Sequence, residues 1–495
     1  MTRSISKLLA SLFLIFATSS FGGEYIIKYK GLGFFAQESF SALSLKDYYM
    51  KEKLLKVNVP NNDPVILGQL MRHPEVESVV KNFRLHTFRT PEQQVADLRE
   101  QWALAKVNAE QAWAAAGNTG SKKVTVAVID TGVDYRHESL ASNSVPGYDF
   151  NGNDNDPMDE TGAQNPGHGT HCAGIVGATG SVDGGVSGAV QNVSIMPIRF
   201  LGANGGGDLM AGIRSIDYAI ENGADIISAS WGARVPAAQA KDLIDAVQRA
   251  SDAGVIFISA AANDGKNNDA TDYFPTNANF ANTISVAASG PDDTKPNWSN
   301  YGIKKVDVAS PGLNIESTLP KNKYGKLSGT SMATPLVSGI VAFLKSQEPS
   351  LTGAQAKAVL QHTGANVEID VACDCRVDME AALELVMTAD SYTVPATATL
   401  YLGETQKFDA TNMKGALSFE STNPTIATVD ENGVLTANEL GVTTVKVTDE
   451  AGESTETLPI RIVEAPQGGG GSCPIGDPAL CDLLCQIMPD MPFCE

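Results

Sequence analysis

Positive charge is scarce in this chain: 36 lysines and arginines stand against 57 aspartates and glutamates, a formal net charge of −21. With no basic patch to neutralise phosphates, the chain is a poor match for a nucleic-acid partner. The acidity reads as solvated surface, with recruitment of basic substrates as the more specific alternative. Long apolar runs are equally lacking. The exception, residues 8–18, is too short to span a membrane comfortably; it follows Arg3 and Lys7 and precedes small residues near Ser20 and Gly22. That is the make-up of a cleaved export signal over residues 1–22, so an exported protein without a membrane span, extracellular or in the cell envelope, is expected.

Cysteine is rare as well, and uneven. Of seven, four (Cys473, Cys481, Cys485 and Cys494) crowd the last residues of the chain. In an exported protein this density in a tail too short for a core suggests two disulfides of open connectivity, and no histidine accompanies them to favour a metal site. Cys373 and Cys375 flank Asp374, and their pairing stays open. An odd total leaves at least one thiol unpaired in a monomer, and Cys172 is the best candidate.

What is present divides the chain into several units, as 495 residues require. Residues 24–88 alternate short strand-like stretches with a helical stretch near residues 66–71, a small α/β unit, and a polar helical segment is expected over residues 91–100. Between residues 123 and 389, apolar runs without alternation (124–129, 195–200, 226–230, 255–261) alternate with helical segments (208–221, 240–253). That spacing predicts a parallel sheet covered on both faces, with functional residues at the carboxyl ends of its strands. Residues 392–463 turn to short Thr- and Val-rich strands with turn signals, a small β-sandwich. A glycine-rich linker from Pro466 to Ser472 leads to the cysteine tail.

Three motifs carry chemistry. Asp130 ends the run Val-Ala-Val-Ile-Asp-Thr-Gly; His168 lies in Gly-His-Gly-Thr-His-Cys-Ala-Gly; Ser331 lies in Gly-Thr-Ser-Met-Ala-Thr-Pro. A serine hydroxyl needs a base to become a nucleophile, and an imidazole is a reliable base only when a third group fixes its tautomer. Ser331 precedes an apolar small-residue helix whose amide end favours developing negative charge; alone, it could equally be an N-cap. His168 is read in a turn that leads into a helix over residues 172–178. The His168/His171 spacing lacks the glutamate and third ligand of a zinc hydrolase, so His171 reads as a packed structural histidine. Asn263, in Ala-Ala-Ala-Asn-Asp-Gly, offers a side-chain N–H for an oxyanion, with a plain turn as the alternative.

At these motifs the chain resembles the subtilisin-like serine proteases, the subtilase family, over residues 101–389. The His-Cys-Ala-Gly variant is similar to the proteinase K branch. The resemblance implies that Asp130 orients, His168 is the base, Ser331 the nucleophile and Asn263 the oxyanion donor. It further implies that the backbone of Gly205, Gly206 and Gly207 and that of Ser230, Trp231 and Gly232 form two edges between which a peptide substrate pairs. Residues 24–88 resemble the family's inhibitory propeptide, with the scissile bond between Phe88 and Trp102. Residues 392–463 resemble a bacterial Ig-like domain of the second group. The expected organisation is a signal over 1–22, propeptide over 23–95, peptidase domain over 96–390, Ig-like domain over 391–465, and linker and tail over 466–495.

Two positions depart from the family pattern. Ala262 stands where glycine is usual, which points to a narrowed or shifted pocket for the residue before the cut, and Leu336 replaces a histidine, a packing variation. No cofactor is required for the chemistry, while the acidic loop of residues 149–160 is rich in hard oxygen ligands and corresponds to a loop where some subtilases hold structural calcium. The reading is thus an exported, self-processed, monomeric serine endopeptidase with polypeptide substrates and its own propeptide as inhibitor. The alternative is a surface-binding protein with a vestigial protease domain, disfavoured because no triad member is missing.

Overall fold

A computed structural model describes residues 22–31, 43–88 and 101–465. The expected export signal up to residue 21, the expected helix over residues 91–100 and the cysteine tail lie outside the described residues. The chain divides into two compact units, residues 1–83 and residues 84–495.

The first unit is an antiparallel four-stranded sheet in the order Ser44–Tyr49, Leu54–Pro60, Gly22–Tyr29, Val76–Lys81, with the helix Pro64–Met71. Asp63 starts that helix by accepting the Val65 N–H, with Pro64 at its first position where no amide donor is needed. Ile27, Tyr29, Leu55, Val57, Val59, Leu67 and Leu70 form its core. The strand Ser44–Tyr49 escapes the sequence pattern because every residue in it is half-buried or exposed.

In the second unit a nine-stranded sheet runs in the order Ala365–Asn366, Cys375–Arg376, Val308–Pro311, Thr283–Ser289, Ile256–Ala260, Ile226–Ala229, Gly120–Asp130, Asn192–Arg199, Tyr148–Asp149. All neighbours are parallel except the first pair. The inner strands are buried throughout, which is why they read as unbroken apolar runs rather than alternating ones. The helix Thr330–Gln347 is buried along its first four turns, from Thr330 to Leu344, and Leu336 lies in the main core. Among the described residues no helix is long and apolar enough to cross a membrane.

Residues 393–463 form short strands in four small sheets around Phe408, Leu435, Val445, Val447, Ile460 and Ile462. They meet the protease core through apolar packing, with Ala396 in the main core and Val394 and Leu458 against it, and through polar contacts. Arg461 donates to the Ala372 carbonyl at 3.0 Å and pairs with Asp374; the Thr399 hydroxyl donates to the Ile303 carbonyl at 2.7 Å; and Lys304 pairs with Glu404. Cys373 and Cys375 are bonded to each other, with Asp374 between them.

Candidate active site

Four elements deliver the site. Asp130 is the last residue of the strand Gly120–Asp130, and Asn263 follows the strand Ile256–Ala260. Ser331 is the second residue of the helix Thr330–Gln347. His168 is the first residue of the helix His168–Gly177, so this helix begins one turn earlier than its sequence suggests. The glycines flanking His168 hid that start, and one of them is there for proximity. A Cβ on Gly169 would lie 2.1 Å from the Gly132 carbonyl and 3.0 Å from the Asp130 Cβ, so only glycine lets the helix come this close to the strand end.

The Nδ1 of His168 lies 2.8 Å from the Asp130 Oδ1, both side chains being 1% exposed. The Thr131 N–H donates to the same oxygen at 2.7 Å. His168 Nε2 is buried without a hydrogen-bond partner among the described residues, and so is Asn263 Nδ2. The other end of the Asn263 amide is fixed, since its Oδ1 accepts from the Thr330 N–H at 3.0 Å and the Thr330 hydroxyl at 2.9 Å. That leaves an imidazole nitrogen able to accept a proton and an amide able to donate, held through Thr330 next to Ser331, whose own hydroxyl donates to the Ser230 carbonyl at 3.0 Å.

The chain's own residues lie across this group. The strand Arg84–Thr87 pairs antiparallel with Gly206–Asp208 on one side (Leu85 opposite Gly207, His86 opposite Gly206) and with Trp231–Arg234 on the other (Thr87 opposite Trp231). The Thr87 N–H donates to the Gly205 carbonyl at 3.1 Å and the Phe88 N–H to the Ser230 carbonyl at 3.2 Å. The Phe88 carbonyl accepts from the Ser331 N–H at 3.3 Å and from the Ser331 hydroxyl. All six glycine, serine and tryptophan residues singled out for the two edges therefore come together around one extended segment.

The sequence of residues 121–391 matches the model of the subtilase family, more than half of the chain, and residues 387–459 match the bacterial Ig-like domain of group 2. The chain belongs to the subtilase family. It is 40% identical over 256 residues to thermitase of Thermoactinomyces vulgaris, covering 52% of this chain and 86% of that one. To the thermophilic serine proteinase of Bacillus sp. strain AK1 it is 36% identical over 298 residues, covering 60% and 70%. To the major intracellular serine protease of Bacillus subtilis the figures are 36% over 258 residues, 52% and 78%. It is a subtilisin-like serine protease with an α/β catalytic domain and a C-terminal Ig-like domain.

This subtilase also contains groups around the site that sequence reasoning missed. Asp159 belongs to the acidic loop read as calcium ligands, yet it is buried under the site. Its two oxygens accept from the Thr131 hydroxyl, the Asn165 amide, and the N–H and hydroxyl of Thr170, at 2.7 to 3.0 Å. Asn165 in turn accepts the His168 N–H at 2.7 Å. Burial first, and the nearby Asp130 charge as a lesser influence, push the Asp159 carboxyl up to about 6. The native state thus holds this proton more tightly than the unfolded chain, whose aspartates titrate near 4. The resulting stabilisation is complete below about pH 4 and lost as pH rises through about 6. In the inactive Ser331→Ala background, the stability advantage over an added Asp159→Asn change should shrink between about pH 4 and pH 6.5. Urea midpoints at the two pH values check this.

Cys172 is buried and unpaired, with its Sγ 3.8 Å from the His168 Nδ1 and donating to the Ser331 carbonyl at 3.4 Å. Asp130, His168 and Cys172 bring three ligand atoms together, but burial drives the thiol well above its usual range, so it stays protonated. His171 is fully buried, its Nε2 lies 3.0 Å from the Gly325 carbonyl, and burial lowers it to about 3: a neutral, packed ring. Ala262 is buried with φ of 91°, a backbone conformation suited to the glycine usual there.

Proposed function

We propose that this serine protease is exported as a zymogen and cuts its own chain after Phe88, releasing the peptidase from its propeptide. The observation that carries the reading is the Phe88 carbonyl against the backbone and hydroxyl of Ser331, at the end of a segment paired on both sides. In the reaction, Ser331 Oγ attacks that carbonyl carbon while His168 Nε2 takes the hydroxyl proton, and Asp130 holds the other ring N–H. Charge developing on the carbonyl oxygen meets the Ser331 N–H and Asn263 Nδ2. His168 then gives its proton to the departing amine of Arg89, and water activated by the same nitrogen releases the acyl group. The test is the N-terminus of the mature protein, by mass spectrometry: Arg89 is expected, and a first cut elsewhere overturns the assignment of this segment.

The same segment supports a substrate preference. The Phe88 ring lies against Gly232, where a Cβ would come 2.7 Å from its tip, and Leu85 is fully buried beside Gly212 and Phe200, with a Cβ on Gly212 coming 2.8 Å from the Leu85 Cδ1. Peptides with Phe before the cut and Leu three residues earlier are the expected preferred substrates. Gly212→Ala should lower kcat/KM for the Leu peptide by about tenfold while leaving its Ala counterpart nearly unchanged, because an added methyl overpacks only the larger side chain.

Structural calcium at the acidic loop belongs to the same proposal. Asp149 Oδ2 and Asp154 Oδ2 converge over Gly152, where a Cβ would lie 2.7 and 3.2 Å from them. Arg199 donates to the same Asp149 Oδ2 at 3.1 Å and pairs with Glu160, so an ion there would share that oxygen with the guanidinium. A hard divalent ion suits two carboxylate oxygens on one cradle, and Asp149 and Asp154 would hold it. Chelator should lower the Tm of the wild type and leave that of Asp154→Asn unmoved; a wild-type Tm indifferent to chelator removes the calcium.

A further inference from the structure

The backbone that carries Asn263 is held from behind by a second, fully buried asparagine. Asn300 reaches the main chain on both sides of Asn263: its N–H donates to the Ala262 carbonyl at 3.0 Å, and its Oδ1 accepts the N–H groups of Asp264 at 2.9 Å and Lys266 at 3.0 Å. Its Nδ2 donates to the Asn268 Oδ1 at 2.9 Å, and the buried Asn268 amide donates in turn to the Ala261 carbonyl at 3.0 Å. Both polar atoms of the Asn300 side chain are thus engaged within residues 264–268.

This clamp is tied to the central sheet. Ser299 Oγ accepts the Ala288 N–H from the strand Thr283–Ser289 at 2.9 Å and donates to the Asn300 carbonyl at 3.0 Å. The two segments also meet through main-chain bonds, from the Gly265 N–H to the Trp298 carbonyl at 2.7 Å and from the Tyr301 N–H to the Lys266 carbonyl at 3.1 Å. A Cβ on Gly265 would come within 2.5 Å of the Asn297 carbonyl oxygen, so the approach leaves no room for a side chain. A firm hold is needed here because Ala262 carries φ of 91°, a conformation that an alanine keeps only where its surroundings impose it. Thr330 fixes the far end of the Asn263 amide, and Asn300 fixes the main chain from which that side chain starts. A donor stabilises developing charge most when it already stands in place before the reaction.

We propose that Asn300 is a positioning residue for the reaction: it fixes the main chain from Ala262 to Asp264, so that Asn263 Nδ2 stands where charge develops on the carbonyl oxygen. The inference rests on the reading of Asn263 as the oxyanion donor. Asn300 acts only through Asn263, since its hydrogen bonds among the described residues go to the clamp and none to Asp130, His168 or Ser331. Its loss therefore lowers kcat and leaves both KM and the titration of the base in place.

A double-mutant cycle tests the proposal, with kcat and KM for a Phe-containing peptide measured on variants expressed as the full chain. Asn263→Ala alone should lower kcat by about 10²- to 10³-fold, a magnitude borrowed from subtilisin. Asn300→Ala alone should lower kcat by about 20-fold, with KM within about twofold and the acid limb of the pH profile unmoved. In the Asn263→Ala background the same change should cost less than about threefold, because the donor it positions is gone. Asn268→Ala leaves the Asp264 and Lys266 amides bonded to Asn300; it should cost about fivefold, again only while Asn263 is present, and it decides the matter where Asn300→Ala does not fold. Equal losses with and without Asn263, a loss confined to KM, or a kcat for Asn300→Ala within about threefold of wild type would overturn the positioning role and leave Asn263 as the donor. A kcat for Asn263→Ala within about threefold of wild type would overturn the donor reading itself, and the positioning role with it.

Discussion

Replacing Ser331 by alanine is expected to leave the chain joined across Phe88 and Arg89, and to reduce peptide hydrolysis by on the order of a millionfold, a magnitude borrowed from subtilisin. The alanine removes the proposed nucleophile, while the Ser331 N–H and Asn263, which would carry the residual catalysis, remain. Because the nucleophile and the bond to be cut belong to one chain, the two losses should appear together. Mass spectrometry of the purified variant over several days reads the first, and turnover of a Phe-containing peptide reads the second. An unfolding midpoint near that of the wild-type precursor shows that the fold is intact. A Ser331→Ala chain that trimmed itself after Phe88 without added protease would contradict both the nucleophile and the self-processing.

Asp130→Asn should cost about 10³- to 10⁴-fold in kcat with little change in KM, by analogy with the corresponding change in a trypsin-like protease. Asp130 Oδ1 serves two donors, His168 Nδ1 and the Thr131 N–H. An asparagine oxygen can keep the Thr131 bond, so the local backbone should hold. What is lost is a full negative charge opposite the imidazolium, in a pair that is 1% exposed on both sides, where water cannot replace it. Steady-state kinetics and a melting curve separate the two effects. A kcat within tenfold of wild type would show that Asp130 does not orient the base.

The parallel sheet, the positions of Asp130 and Asn263 at the carboxyl ends of its inner strands and that of Ser331 at a helix start were legible because buried strands, strand-end polar residues and a small-residue helix leave local patterns. Asp159 was not, since its partners Thr131 and Thr170 lie on other segments and nothing local separates a buried aspartate from its exposed neighbours in an acidic loop. The start of the helix at His168 was masked by glycines that serve close packing rather than a turn. Phe88 was legible only as one end of an interval, because its relation to Ser331 is a contact across 243 residues. The docking of the Ig-like domain through Arg461, Lys304 and Thr399 was equally invisible, as each bond joins residues far apart in the chain. Cys373 and Cys375 show the limit in small: their spacing left the pairing open, and only the turn at Asp374 brings the sulfurs together.

The sheet made by Tyr273–Phe274, Trp231–Arg234, Arg84–Thr87 and Gly206–Asp208 has a further consequence. Its second and fourth strands meet only through the third, so withdrawal of residues 84–88 would leave two raw edges facing each other across a slot one strand wide. Open edges invite pairing with any extended chain, and here they are only four and three residues long, too short to capture a partner irreversibly. The mature protease would then be a sheet with one strand missing, repaired and broken again at each turnover.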